Sequence, residues 1–144
     1  MNTNEEPVVI EQEFNRSTSD VWNAIVTVEE MRNWFFENIP DFNADVGFRT
    51  QFPVDSGERI FLHLWEVTEV VPQRKIVYNW KYEGYAGDSV VSFEITGDEC
   101  TTRLRVTLQV LENFSDDIPE FTRESCVGGW TYFINDSLKA YLDR

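Results

Sequence analysis

Apolar residues recur along this chain first at period two and then at helical spacing, and the switch predicts the architecture. In Val8-Val9-Ile10-Glu11-Gln12-Glu13-Phe14, residues Val8, Ile10 and Phe14 share one parity, as a half-buried strand requires. Asn15 to Ser19 breaks the pattern, and Ser19 or Thr18 is expected to cap a helix over Asp20–Val26 with the apolar face Val21, Trp22 and Ile25. A second short helix at about Glu29–Phe35 offers Met31, Trp34 and Phe35 before Pro40 ends the region. Short strands follow around Asp45-Val46 and over Phe48–Phe52, with Phe48, Thr50 and Phe52 facing one way. A long strand is expected over Arg59–Val71, and the turn Pro72-Gln73-Arg74 leads into Lys75–Tyr82. There Ile76, Tyr78, Trp80 and Tyr82 alternate with Lys75, Asn79 and Lys81. Val91, Phe93 and Ile95 alternate within Ser89–Thr96, as do Leu104, Val106, Leu108 and Val110 within Thr101–Val110. The hairpin-length turns between these later strands imply an antiparallel meander.

From Pro119 to Leu142 the apolar positions include Val127, Trp130, Ile134, Leu138, Tyr141 and Leu142, which is helical spacing. Such a helix is about 36 Å long, and a seven-stranded sheet is about as wide. Antiparallel strands with one apolar face need a cover on that face only, and this helix supplies it. The expectation is an α+β fold: a curved antiparallel sheet of six or seven strands around one long C-terminal helix, with two short helices after the first strand. A bent sheet gripping a single helix is expected to leave space between them.

The chain has 144 residues, the size of one domain, expected over 1–144 with its core at about 8–142. Its aromatic content of 15% suits a packed core and equally a ligand pocket. The formal charge of −14 repels phosphate backbones and anionic membranes, so neither nucleic acid nor membrane insertion is expected. No apolar run reaches membrane-spanning length, and the opening Met1–Glu6 is polar and acidic, unlike a signal peptide. Cys100 and Cys126 lack metal-ligand spacing and read as reduced thiols of a cytoplasmic protein.

Among candidate chemistry, His63 is the only histidine and the cysteines lack ligand spacing, so no metal site is expected, and no Ser-His-Asp arrangement can be read from the order of the residues. Phe61 and Trp65 share its strand face, and the reading is a surface or half-buried strand residue. Glu66 and Glu69 are expected on opposite faces, not as an acid–base pair. Asp116-Asp117 before Pro119 reads as helix capping. Gly128-Gly129 inside the long helix costs roughly 1 kcal/mol per residue relative to Ala. The offset is either close helix packing, a kink, or room for a guest. Gly84 and Gly87 flank Tyr85 in a loop without the helix that phosphate binding needs, and the loop is a candidate flap over a cavity mouth. No cofactor is called for.

Several segments resemble one family. Val21-Trp22-Asn23-Ala24-Ile25 followed by Glu29-Glu30-Met31-Arg32-Asn33-Trp34-Phe35 resembles the opening of the AHSA1-like (activator of Hsp90 ATPase homologue-like) branch of the START/Bet v 1-like (SRPBCC) superfamily. Val67–Pro72 with Ile76-Val77-Tyr78-Asn79-Trp80 is similar to its central strand pair, and Asp88–Ile95 and Thr102–Thr107 to the next two strands. Gly129-Trp130 with Leu138 and Leu142 is similar to its long helix, although Phe133 and Ile134 depart from the usual leucine. The resemblance spans Val8–Leu142 and implies a helix-grip fold with a hydrophobic cavity. It does not imply one activity, since the superfamily includes lipid and polyketide carriers, cyclases, hydroxylase domains and the Hsp90 co-chaperone domain.

The expected function is binding of a small lipophilic ligand in that cavity, and the sequence shows no complete set of catalytic residues. Candidate wall residues are Trp34, Phe35, Phe48 and Phe52 from the first half of the chain. Tyr78, Trp80, Tyr82, Phe93, Leu104 and Val106 come from the later strands, and Val127, Trp130 and Ile134 from the helix. Two alternatives from other classes are a co-chaperone-like module for an Hsp90-type ATPase and a cyclase-type enzyme. The mark of the last would be a buried ionisable group with a perturbed pKa pointing inward. The oligomeric state is not readable.

Overall fold

Short-range signals set the elements. A computed structural model describes residues 1–144. The chain runs β1 (Val8–Phe14), α1 (Thr18–Val26), α2 (Val28–Trp34), β2 (Arg49–Asp55), β3 (Ile60–Val71), β4 (Lys75–Tyr82), β5 (Asp88–Gly97) and β6 (Thr102–Glu112). A 3-10 turn at Pro119–Phe121 leads into the C-terminal helix. That helix comprises α3 (Arg123–Thr131), a π-helical stretch (Tyr132–Leu138) and α4 (Lys139–Leu142). The fold is α+β, with one curved, six-stranded antiparallel sheet in the order β1-β6-β5-β4-β3-β2. The first strand closes one edge by pairing with the last, Val8 opposite Leu108 and Phe14 opposite Thr102.

Several local expectations are corrected. Ser17, not Ser19 or Thr18, caps α1, its hydroxyl accepting from Asp20 N at 3.1 Å. The segment Asp45-Val46 is not a strand: Phe48 N donates to Asp45 O at 3.0 Å, closing a turn through Gly47 at φ +93°. The sheet therefore has six strands, within the six or seven expected. Asp116-Asp117 do not cap the long helix. Pro119 opens only the 3-10 turn, and Thr122 Oγ1 accepts from Ser125 N at 3.2 Å to start α3. A β-bulge at Val67/Glu69 shifts the register of β3 against β4. The extra residue puts Val67 and Val70 inward together, so Glu66 and Glu69 lie together on the outer face rather than on opposite ones. There they pair with Arg49 and Lys75 at 3.3 Å each.

The C-terminal helix buries Trp130, Ile134, Leu138 and Leu142. A stripe repeating every four residues drifts by about 40° per step on a helix of 3.6 residues per turn. Widening the turn to π counters that drift and keeps the stripe over the sheet. Asn135 Nδ2 ties the helix to β1 through Glu11 O at 2.9 Å. Ser137 Oγ ties it to the end of α2 through Trp34 O at 2.7 Å. Trp34 itself donates Nε1 to Ala24 O at 2.7 Å, so it locks α2 onto α1. No helix is long and apolar enough to cross a membrane.

Candidate functional site

Aromatic rings fill most of the space between sheet and helix. Trp34 stacks on Phe35 at 4.6 Å, and Phe35 meets Trp65, Trp80 and Trp130 at 5.5, 6.0 and 5.7 Å. At the end nearest β2, Phe42 plugs the interior against Tyr78 and Trp65. At the other end a pocket of about 150 Å³ remains, open on one side. Its apolar wall is Phe36, Trp80, Leu108, Phe114, Trp130 and Phe133, with Met1 beside them. His63, Tyr82, Ser89 and Cys126 bring polar atoms to it, and Glu120, Ser125 and Gly129 complete the lining. A wider open depression of about 400 Å³ on the convex face, lined by Arg49, Gln51, Glu66, Asn79 and Lys81, is polar and belongs to the solvated side of the sheet.

Of the expected wall, Trp80, Tyr82 and Trp130 line the pocket. Trp34, Phe35, Phe52, Tyr78, Phe93, Leu104, Val106 and Ile134 are buried in the packed core behind it, and Phe48 packs against that core half-buried. Val127 lies on the outer side of the helix, 37% exposed. His63 was expected at the surface or half-buried. It is 5% exposed, facing inward among the rings of Phe36, Phe52, Trp80 and Tyr82 at 4.8 to 5.4 Å. Its position was legible in part, because Phe61 and Trp65 share its parity on β3 and both are buried. The inward face of Leu108 follows from its alternation in β6, whereas the pocket roles of Phe36, Cys126 and Phe133 carry no comparable local signal.

Hydrogen bonding fixes what the polar groups offer. His63 Nδ1 lies 3.0 Å from Phe61 O, a carbonyl that only accepts, so Nδ1 carries the proton and Nε2 is an acceptor without a partner. Burial lowers the His63 pKa to about 4 and keeps the ring neutral. Tyr82 Oη accepts from Trp80 Nε1 at 3.0 Å, leaving the Tyr82 hydroxyl hydrogen unengaged. Burial raises the pKa of Tyr82, so this hydroxyl stays protonated. Deeper in, Trp65 Nε1 and Tyr78 Oη are buried with no partner at all. A Cβ added at Gly128 or Gly129 would meet nothing within 4 Å, so close packing does not explain the glycine pair.

Residues 15–143 match the family described as activator of Hsp90 ATPase homolog 1-like protein. The chain belongs to this family. No curated protein sequence matches it significantly. Among solved structures, the AHSA1-like chain is similar to MLL2253 from Mesorhizobium loti, with TM-score 0.76 and 26% identity over 96% of this chain and 98% of that one. It shares its fold with the Aha1 dimer from Colwellia psychrerythraea, at TM-score 0.72 and 19% identity over 96% of each chain. It also shares it with DynU16 of the dynemicin biosynthetic locus, at TM-score 0.75 and 22% identity over 96% of this chain. It spans only 48% of DynU16.

Burial and hydrogen bonding set the protonation states of the groups at the pocket of this AHSA1-like chain. A base whose conjugate acid has a pKa of about 4 accepts a hydrogen bond well but abstracts protons weakly at neutral pH. Burial pushes the Cys126 thiol up to about 11, which keeps it protonated and a poor nucleophile. Glu120 at the rim is held by Ser56 Oγ at 2.7 Å and Arg59 at 3.0 Å. Hydrogen bonding from Ser56 lowers its pKa, so it is no proton donor. No group of three or more His, Cys, Asp or Glu side chains converges as a metal site.

Proposed function

We propose that this protein reversibly binds a small lipophilic molecule in the pocket between β3–β6 and the C-terminal helix. The observation carrying the reading is an open, aromatic-lined pocket of about 150 Å³ whose lining includes His63, a histidine with one ring nitrogen left without a partner. Drug-sized ligands need roughly 300 to 1,000 Å³. A cavity of about 150 Å³ is the size that admits a benzene ring. The guest is therefore small, unless the helix yields. A thermal-shift series with small lipophiles tests the reading. A guest at a hundred times its dissociation constant stabilises the fold by about 2.7 kcal/mol. Absence of a shift with every small lipophile counts against it.

The family match favours a second reading, an interaction module for an Hsp90-type ATPase. Its check is the steady-state ATPase rate of such a chaperone with and without the protein. A saturable rise in that rate, undisturbed by filling the pocket, supports the second reading over the first.

A further inference from the structure

We infer that the pocket is built for a neutral monocyclic phenol, or a hydroxyarene of that size, with its hydroxyl shared between His63 and Tyr82. This rests on the pocket-binding reading and names the class of guest. Size supplies the first constraint: the pocket holds one six-membered ring. The wall supplies the second. Phe36, Trp80, Trp130 and Phe133 surround the space with ring faces and edges, which suit a flat aromatic guest in stacked or edge-on contact.

The polar atoms supply the third constraint. His63 Nε2 can only accept while the ring is neutral and Nδ1 is committed to Phe61 O. The Tyr82 hydroxyl can still donate, because Trp80 Nε1 occupies only its oxygen. The two rings meet edge to face with centroids 4.8 Å apart, so the acceptor and the donor belong to neighbouring side chains of one wall. A phenolic hydroxyl satisfies both at once, donating to His63 and accepting from Tyr82. A plain hydrocarbon satisfies neither. A carboxylate has no hydrogen for His63, and no Lys or Arg lines the pocket to meet its charge. The amino group of Met1 is taken by Phe121 O at 2.7 Å, and the Glu120 carboxylate at the rim adds repulsion.

The test is titration of the full chain at pH 7 with toluene, phenol and benzoate, read by isothermal calorimetry and by chemical shifts of the pocket residues. Phenol is expected to bind about tenfold tighter than toluene, as two added hydrogen bonds imply, and benzoate weakly or not at all. Tyr82→Phe and His63→Gln should each bring the ratio of phenol to toluene affinity, measured within the same variant, close to one. Toluene serves as the internal control for a pocket that still forms. Equal affinity for toluene and phenol, benzoate binding as tightly as phenol, or a preference surviving both substitutions overturns the inference and leaves the pocket reading standing. If neither toluene nor phenol binds, the pocket reading fails and takes the inference with it.

Discussion

Tyr78 and His63 lie on the same concave surface, and burial costs stability at both, at neutral pH for Tyr78 and only below about pH 6.5 for His63. The Tyr78 hydroxyl is buried without a partner, a state that costs roughly 1–3 kcal/mol. Tyr78→Phe keeps the ring that packs on Trp65 and Phe93 and deletes the orphan, so urea denaturation should show a gain of about 1 kcal/mol. For His63 the native chain holds the ring neutral down to about pH 4, whereas the unfolded chain takes up a proton below its ordinary value of 6.5. As pH falls from 6.5 to about 4, the unfolded state binds the extra proton and the fold loses stability, by about 3 kcal/mol in all. Between pH 6.5 and 5 this histidine is the only one in the chain, so His63→Phe should flatten the slope of unfolding free energy against pH there. An unchanged slope would show the ring to be protonated in the native state.

At the level of elements, two glycine sites make contrasting predictions. Gly128 and Gly129 sit in α3, where an added methyl meets nothing, so each Gly→Ala should raise stability by about 1 kcal/mol in thermal or urea melts. Gly129 also lines the pocket, so its variant should bind a small aromatic guest with a changed rate as well. Gly87, between β4 and β5, is different. It has φ +120°, and a Cβ there would fall 2.3 Å from Phe114 Cδ1. Gly87→Ala must strain the loop or push Phe114 out of the pocket wall, at a cost of about 1–3 kcal/mol. Near-ultraviolet circular dichroism should report the displaced ring. The neighbouring Tyr85 packs on Phe61 and Phe121 at 5.1 and 5.4 Å, beside the same end of the pocket.

Over the whole molecule, one sheet and one helix enclose a core that is mostly full, and the space left is a small remainder at one end. Period-two alternation over Lys75–Tyr82 and over β5 and β6 made those strands and their inward faces legible, because each side chain's face depends only on its neighbours along the strand. The helical spacing of Trp130, Ile134, Leu138 and Leu142 likewise foretold the covering helix, and the family resemblance foretold their arrangement. The sequence could not show the bulge that turns Glu66 and Glu69 to one side, since a single extra residue leaves the residue types unchanged. Nor could it separate Tyr78, sealed behind Phe42, from Tyr82, which lines the pocket, although both sit on one face of β4. Where no bulge intervenes, local order and face are set between near neighbours along the chain, so the sequence alone determines them. Pocket volume and its polar handles are a small difference between large filled volumes, fixed by how Phe36, Trp80, Trp130 and Phe133 settle against one another, and only the tertiary structure decides that.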